Sequence, residues 1–533
     1  MATPELPKCG VENPDRWGVL LTFGYIAACN SFMFQSYTTT PHLSKSILTQ
    51  PGQPPISDSA LDFLYTVSLF ATLPLMPASA YLLETRHYAT QTATVLLNIA
   101  AAWTRYLSII YESYGCAIVS GVTLGSATSI VMPSLALMPM RWCAGAKEQA
   151  LAAAVCVQSG NLGWALGALI PLVVKSEEAF LSFMLVQAIA VSAALLLFVP
   201  LYRNLPERVL TITGESRARL SCVAPRGSSS HVTGAAPDAA TALATAESGA
   251  VGADHQHLAS VAPVRSSGST ILLERAGSSL DVQLLRDGER QLLETAPELT
   301  LMENARLLSC HRSYLLHSLC YSLLMGVAYS IPGVQAAVYG ALGVSFVAAH
   351  SVWTNFSFIF LGVVGGLAAG KLAVSERGAA ATLKGMAVVS TLGLAVLCAL
   401  SSPALVARIG DGPMLLLIFV VVQGVCGAGL LGFIGLGLRV AVQVGAPAAE
   451  VYSGLAVEWG SQLWGSLLAQ LSVFAGFFSS LAVTAAVAAA LLLVARFPGV
   501  EQAAPAHRPL GTEPTLVSDS RSVPASDVCL VIS

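Results

Sequence analysis

The sequence predicts an all-α, polytopic membrane protein with twelve transmembrane helices in two halves of six. Three observations predict this fold class. Hydrophobic residues make up 54% of the 533 residues and charged residues only 11%, whereas soluble domains carry about 25% charged residues. Twelve apolar stretches have roughly the 20 residues that a helix needs to cross a bilayer. A long polar segment separates the first six stretches from the last six.

Each apolar stretch is expected to be helical, because lipid offers no hydrogen-bond partner to backbone N–H and C=O groups. The spans of the N-terminal half, 17–202, are predicted near residues 17–37, 61–83, 88–110, 116–138, 151–174 and 180–201. The spans of the C-terminal half, 313–497, are predicted near residues 314–338, 344–369, 379–400, 414–442, 452–474 and 479–495.

The segments outside the two halves differ from them in composition. Residues 1–16 and 498–533 are predicted to be cytoplasmic tails, the second of them disordered. Residues 203–312 form a central loop that is predicted to be largely disordered, because 211–270 are rich in Ala, Ser, Gly and Thr. Residues 280–307 have helix-like apolar spacing, and we expect this segment to lie on the membrane surface or to cap the bundle.

Basic residues near the span ends predict the orientation in the membrane. One set of turns holds Arg86, Arg141, Lys147, Lys371, Arg377 and Arg439. The opposite turns hold mainly Lys45, Lys175 and Arg408. This bias places both termini and the central loop in the cytoplasm. The plasma membrane is favoured over an organelle.

Composition also excludes several classes of function. The net charge of −3 gives no sign of a nucleic-acid partner, and the eleven cysteines form no CxxC pair, which favours apolar packing over metal or disulfide use. The sequence has no nucleophile elbow, P-loop or HExxH motif. We therefore expect no enzymatic activity and no cofactor or metal. The expected partners are a small-molecule substrate and the lipid bilayer, with the chain acting as a monomer.

The arrangement of six plus six spans resembles the major facilitator superfamily, in which two six-helix halves rock around a site at mid-membrane. Two turns at corresponding places in the halves support this resemblance. LLETRHYA (82–89) follows the second span and GGLAAGKLAVSERG (365–378) follows the eighth. Both combine a helix end with charges of both signs, as the turn motif of the superfamily does, although the first half matches it loosely.

Six segments carry a more specific pattern: RWGVLLTFGYIAACNSFMFQSY (16–37), LDFLYTVSLFATLPLMPASAYLLETR (61–86), NIAAAWTRYLS (98–108), QSGNLGWALGALIP (158–171), GVAYSIPGVQ (326–335) and EVYSGLAVEWGSQLWG (450–465). In order and spacing they resemble the feline leukaemia virus subgroup C receptor-related transporters. The resemblance covers nearly all of both halves but neither the central loop nor the tails. It implies a carrier of choline or ethanolamine, or of haem, since both activities are ascribed to that family.

The resemblance also implies which residues bind substrate. The choline site of the family looks like an aromatic cage with a span-one aromatic, a span-seven Tyr and a Gln on spans five and eleven. The matching positions are Phe34, where the family often has Trp, Tyr329 and Gln462. Asn161 stands in place of the span-five Gln, and Gln158 is an alternative for that amide. The two amides bind either the substrate or a neighbouring helix.

A cage of this kind suits a quaternary ammonium, which donates no hydrogen bonds. Aromatic faces attract such a cation by about 0.5–2 kcal/mol per ring. Because Phe34 and Tyr329 lie on the first helix of each half, they are expected at mid-span on opposite sides of a central cavity. Alternating access through that cavity is the mechanism that the resemblance implies.

Glu458 is a further candidate, since an acid within a span costs about 2.5–3.5 kcal/mol on insertion scales and usually faces a cavity. It lies four residues before Gln462 and therefore on the same helical face. Glu458 is interpreted as a counter-ion for a cationic substrate or as a proton carrier. The alternatives are a salt bridge to Arg105 or Arg439, or a protonated, hydrogen-bonded acid.

The secondary candidates are Trp459 and Trp464, which flank Glu458 and either pack or add an aromatic wall, and Arg105, which pairs with an acid or lines the pathway. A haem carrier would need an axial ligand, for which His317, His350 and Tyr329 are available. A third hypothesis, from another class, is a non-transporting receptor or scaffold that acts through the central loop.

Overall fold

The computed structural model describes residues 15–49, 56–143, 146–203, 299–332, 334–373, 376–473 and 476–495. The predicted tails and the central loop, 203–312, lie outside the described residues except for 15, 16, 203 and 299–312. Of the segment predicted to be helical over 280–307, residues 299–307 are described, and the helix there begins at Leu301. Asn304 Oδ1 of this helix accepts a hydrogen bond from Ala449 N at 2.8 Å, so this part lies against the C-terminal half.

All regular structure within the described ranges is helical. The N-terminal half contains α1 Arg16–Gln35, α2 Pro41–Leu48, α3 Asp58–Thr85, α4 His87–Ile110, α5 Tyr114–Trp142, α6 Ala146–Ala168, α7 Ile170–Val173 and α8 Glu177–Leu201. The C-terminal half contains α9 Leu301–Cys310, α10 Arg312–Ser330, α11 Gln335–Ala341, α12 Ser345–Ala349, α13 Ser351–Leu372, α14 Glu376–Leu400, α15 Pro403–Ile409, α16 Pro413–Gly445, α17 Glu450–Ala469, the 3₁₀ turn Gln470–Val473 and α18 Phe477–Val494.

Ten helices in the described part of the chain are long and apolar enough to cross a membrane. The helices at the predicted seventh and eleventh spans, α10 and α17, have 19 and 20 residues but are not among the ten. Both carry several buried polar side chains, which lower their hydropathy. Three of these are the predicted site residues Tyr329, Glu458 and Gln462. Three of the five predicted substrate-binding residues therefore lie on these two less apolar helices, and Phe34 and Asn161 lie on α1 and α6.

One end of the bundle holds the start of α1 and the end of α18, and we call it the terminal end. Arg16 at the start of α1 pairs with Glu148 of α6 at 2.7 Å. Lys384 of α14 donates to the carbonyl of Ala495, just after α18, at 3.1 Å. The other end is called the opposite end.

An ion-pair network joins the two halves at the terminal end. Arg141, at the end of α5, donates to Glu84 of α3 at 2.9 Å and to Glu450 of α17 at 3.3 Å. Small residues let helices of the two halves approach closely nearby, as in many membrane bundles. Gly370 of α13, for example, packs against Ala154 of α6. The two halves are therefore joined at the terminal end by an ion pair and by close contacts between helices.

Several long helices end earlier than the predicted spans: α6 ends at Ala168 where 151–174 was predicted, and α17 ends at Ala469 where 452–474 was predicted. The seventh span was predicted over 314–338, but α10 ends at Ser330 and a short helix follows. Pro332 explains this difference, because proline has no N–H to continue the helical hydrogen-bond ladder. In the N-terminal half, α1 ends at Gln35. There Arg105 donates to the carbonyl oxygen of Met33, which also accepts from the Ser36 N–H and hydroxyl at the helix end.

Gly427 of α16 lies where α16 and α13 approach most closely, and a methyl group at this position would overlap the Phe358 carbonyl oxygen. We expect Gly427→Ala to lower the midpoint of thermal unfolding in detergent, because overpacking costs about 1–3 kcal/mol. Gly385→Ala on α14 is the control, since a methyl group there meets no atom within 4 Å. It should leave the midpoint unchanged or raise it, because alanine favours the helix. Equal midpoints for the two variants would contradict the close approach.

Candidate functional site

Two adjoining cavities lie between the halves and share Trp164 and Tyr329 in their walls. The first is also lined by Phe34, Tyr65 and Gln462, and the second by residues that include Asn161. Their free volumes are about 10 and about 30 Å³, which is room for one to a few water molecules. An organic cation therefore enters only if the halves move apart.

Four aromatic side chains from four helices surround the first cavity. Phe34 of α1 meets Tyr65 of α3 edge-to-face with ring centroids 5.8 Å apart, and Trp164 of α6 meets Tyr329 of α10 in the same way at 5.6 Å. We call these four residues the aromatic cluster. All four are buried. The cluster contains Phe34 and Tyr329, which were predicted for the cage, and two residues that were not predicted, Tyr65 and Trp164.

The two predicted rings occupy equivalent places in the halves. Phe34 is the next-to-last residue of α1, and Tyr329 is the next-to-last residue of α10. Both were expected at mid-span. Instead the helices end beside the cavity, whereas α5 passes it near its middle, at Thr128 and Met132. Discontinuous helices beside a central site are common in secondary transporters.

Glu458 of α17 lies directly behind the aromatic cluster and is 0% exposed. Tyr321 donates its hydroxyl to Oε1 at 2.6 Å, and Tyr329 donates its hydroxyl to Oε2 at 3.2 Å. The carboxylate therefore accepts a hydrogen bond from the hydroxyl of Tyr329, whose ring lines the cavity.

No basic side chain in the described ranges pairs with Glu458. The salt-bridge alternatives named Arg105 and Arg439. Arg105 instead bonds the end of α1, donates to Ser120 at 3.2 Å and lies over the Tyr37 ring at 4.6 Å. Arg439 donates to the Ala373 carbonyl at 3.3 Å. The buried acid is thus held by tyrosine hydroxyls and not by a fixed cation.

The three candidate amides have different surroundings. Gln462 is 3% exposed and lines the first cavity, and its Oε1 has no hydrogen-bond partner among the described residues. Asn161 lines the second cavity, but its Nδ2 donates to Gln158 Oε1 at 2.9 Å. Gln158 in turn donates to the Leu431 carbonyl of α16 at 3.1 Å. The span-five amides therefore bind each other and the opposite half, whereas the Gln462 Oε1 is a fully buried acceptor without a partner among the described residues.

No protein-family model matches the chain. The human choline/ethanolamine transporter FLVCR2 is 27% identical over 157 residues, which cover 29% of this chain and 28% of that protein. The match therefore spans less than a third of the length of that relative.

Among solved structures, the chain is similar to the E. coli fucose:proton symporter, with a TM-score of 0.53, 9% identity and coverage of 90% of this chain and 97% of the symporter. It is also similar to a bacterial homologue of the iron transporter ferroportin in an outward-facing state, with a TM-score of 0.50, 13% identity and coverage of 90% and 99%.

The chain has the major facilitator fold.

The major facilitator fold and the ten apolar helices make this a multi-pass integral membrane protein. In this fold the remaining sequence candidates lie outside the cavity. Trp459 is 41% exposed and donates its Nε1–H to the Leu73 carbonyl of α3 at 3.2 Å. Trp464 packs against Gly326 of α10. Neither tryptophan nor Arg105 lines either cavity.

The candidate haem ligands are also dispersed in the major facilitator fold. His317 Nε2 lies 2.9 Å from the Gly437 carbonyl. His350 stacks on Phe346 with ring centroids 4.3 Å apart, at the opposite end of the bundle. Only Tyr329 of the three proposed ligands faces the cavity, and its hydroxyl already donates to Glu458.

Three residues of the site were missed from the sequence, namely Tyr65, Trp164 and Tyr321. Helical spacing holds a signal for two of them. Trp164 lies three residues after Asn161, one turn away on the same face of α6, and Tyr321 lies eight residues before Tyr329, about two turns away on α10. Tyr65 has no comparable signal, because its place depends on how α3 packs against α1.

Proposed function

We propose that this protein is a membrane transporter that carries a small organic cation of the choline or ethanolamine type by alternating access. One observation carries the proposal. A fully buried carboxylate, Glu458, has no basic partner among the described residues and binds the tip of a tyrosine whose ring lines a central aromatic cavity. The missing positive charge is supplied by the substrate.

The aromatic cluster supplies the binding faces. Each ring contributes about 0.5–2 kcal/mol to the binding of a cation, with the larger values in dry sites. Trp is the strongest such ring, and Trp164 provides one on α6 although span one carries Phe34. No Lys, Arg or His lines either cavity in the described part of the chain. No fixed cation therefore competes with the substrate for the rings.

Glu458 strengthens the attraction through Tyr329. A buried acid without a counter-charge is costly, and a cation close to it recovers part of that cost. Hydrogen bonds in a low-dielectric interior polarise one another, so the Tyr329 hydroxyl that donates to the carboxylate makes its own ring more electron-rich. Ring and carboxylate thus act as one binding element for a cation, and neither attracts an anion.

The contacts between the halves indicate which end opens to admit the substrate. The terminal end is held by the ion pairs of Arg141. Toward the opposite end, Tyr65 donates to the Tyr329 carbonyl at 3.4 Å, a long hydrogen bond made by two members of the aromatic cluster. Separation of these residues exposes the cluster directly. By the distribution of basic residues, this is the extracellular end.

The partial match to human FLVCR2 supports the choice of substrate class, since that relative is described as a choline/ethanolamine transporter. The haem hypothesis has less support, because neither His317 nor His350 lines a cavity in the described ranges. The scaffold hypothesis places function in the central loop, nearly all of which lies outside the described residues.

A substrate screen in proteoliposomes tests the proposal. Labelled choline, ethanolamine and haemin are offered side by side, and we expect saturable uptake of one or both cations, competed by the unlabelled cation and not by haemin. Phe34→Ala should reduce this uptake. Phe32→Ala is the matched control on the same helix, because Phe32 packs on Phe183 and does not line a cavity. Uptake of haemin that the cations do not compete would overturn the proposal.

A further inference from the structure

The walls of the two cavities contain two buried polar atoms without a hydrogen-bond partner among the described residues. One is Trp164 Nε1, a donor, and the other is Gln462 Oε1, an acceptor. Trp164 is 7% exposed and Gln462 is 3% exposed, so bulk water does not satisfy either atom. Other buried polar atoms among the described residues also lack a partner, but these two are the ones whose residues line the described cavities. Because an unpaired buried polar group is costly, a donor and an acceptor in the walls of one cavity point to a ligand that pairs with both.

The neighbouring amides of α6 already bind protein groups. The Asn161 Nδ2 group, at the position where the span-five amide was predicted, donates to Gln158, and Gln158 donates to the other half of the bundle. The free donor on α6 is instead one turn further along the helix, at Trp164. The same residue also presents its ring to Tyr329. Trp164 can therefore contact the positive charge and a polar group of one substrate.

We infer that Trp164 and Gln462 together select cations that carry a hydroxyl group. A hydroxyl donates one hydrogen bond and accepts another, so it pairs with Gln462 Oε1 and Trp164 Nε1–H at once. An ammonium N–H satisfies only the acceptor, and a carboxylate satisfies only the donor. The inference rests on the proposed function, because the aromatic cluster must hold the cationic end of the same molecule.

Choline and tetramethylammonium separate the two contributions, because both carry a methylated ammonium and only choline has a hydroxyl. Each competes with labelled choline for uptake into proteoliposomes. We expect the wild-type protein to require about tenfold more tetramethylammonium than choline for half-inhibition, since that analogue leaves both buried groups unpaired. Trp164→Phe keeps an aromatic ring and removes the N–H. It should weaken inhibition by choline and leave inhibition by tetramethylammonium unchanged or improved.

Two further variants exclude a purely structural role for Trp164. Trp464→Phe replaces a tryptophan that does not line a cavity and should change neither probe. Gln462→Met removes the acceptor at similar size, and its effect on choline should be non-additive with that of Trp164→Phe, because both groups bind one hydroxyl. Surface abundance of each variant is measured in parallel.

The outcomes distinguish this inference from the proposed function. Equal inhibition of the wild-type protein by both probes, or a Trp164→Phe variant in which both probes shift together, overturns the hydroxyl selection and leaves cation transport intact. Absence of uptake and of inhibition for every cation overturns the proposed function and this inference with it.

Discussion

Replacing Tyr329 with alanine is expected to raise the choline concentration for half-maximal uptake by about 30-fold. Tyr329 lines both cavities, meets the Trp164 ring and donates to Glu458. A desolvated aromatic face contributes about 2 kcal/mol to cation binding, which corresponds to about 30-fold in affinity. The concentration dependence of labelled choline uptake in proteoliposomes measures this change.

Tyr329→Phe divides the effect into its parts. The phenylalanine keeps the ring and removes the hydroxyl, so Glu458 retains only the Tyr321 donor. We expect an intermediate loss of affinity, smaller than that of the alanine variant. Tyr321→Phe removes the other donor without altering the cavity wall, since Tyr321 does not line it. An unchanged concentration dependence in Tyr329→Ala, with normal amounts of protein in the membrane, would remove Tyr329 from the site.

Glu458→Gln is expected to lower the affinity for choline by about tenfold or more. The side chain keeps its size and loses its charge. A unit charge separated from the cation by one layer of side chains contributes about 2 kcal/mol at an effective dielectric constant of about 20. The affinity of the wild-type protein should also weaken at mildly acidic pH, because protonation of the carboxylate removes the same charge. The glutamine variant should be insensitive to that change.

The other titratable groups near Glu458 are tyrosines and one histidine. Tyr321 and Tyr329 of α10 bind it directly, Tyr65 of α3 bonds the backbone of Tyr329, and His317 lies beside Tyr321. Tyrosines do not ionise at mildly acidic pH. A pH effect that persists in Glu458→Gln therefore points to His317 or to a group outside the site, and it contradicts the assignment to Glu458.

Two controls accompany the Glu458 experiment. Glu178→Gln replaces an exposed carboxylate at the start of α8 and should leave affinity unchanged. 3,3-Dimethylbutan-1-ol has the shape of choline with carbon in place of nitrogen and carries no charge. Its inhibition of choline uptake should be the same in the wild-type protein and in Glu458→Gln, because an uncharged probe does not sense the carboxylate. Equal losses for both probes would indicate a structural defect.

The sequence alone predicted the fold class, the division into two halves and most span positions. These features depend on local hydropathy, because a segment of about 20 apolar residues is helical in lipid whatever its neighbours are. The family resemblance then predicted Phe34, Tyr329 and Gln462 as cavity residues, and these three line the first cavity. The early end of α10 was missed, although Pro332 was visible in the sequence.

Only the tertiary structure decided which face of each helix meets the cavity. Helices that are apolar on all sides carry no pattern that sets their rotation about the axis, so packing against neighbouring helices determines it. Because of that rotation, Trp164 and Gln462 line the cavity. Trp459 instead contacts α3, and the Asn161 amide donates to Gln158. It also sets Glu458 against two tyrosine hydroxyls and not against an arginine. Local composition therefore determined which segments cross the membrane, and contacts between distant segments determined the chemistry of the space that they enclose.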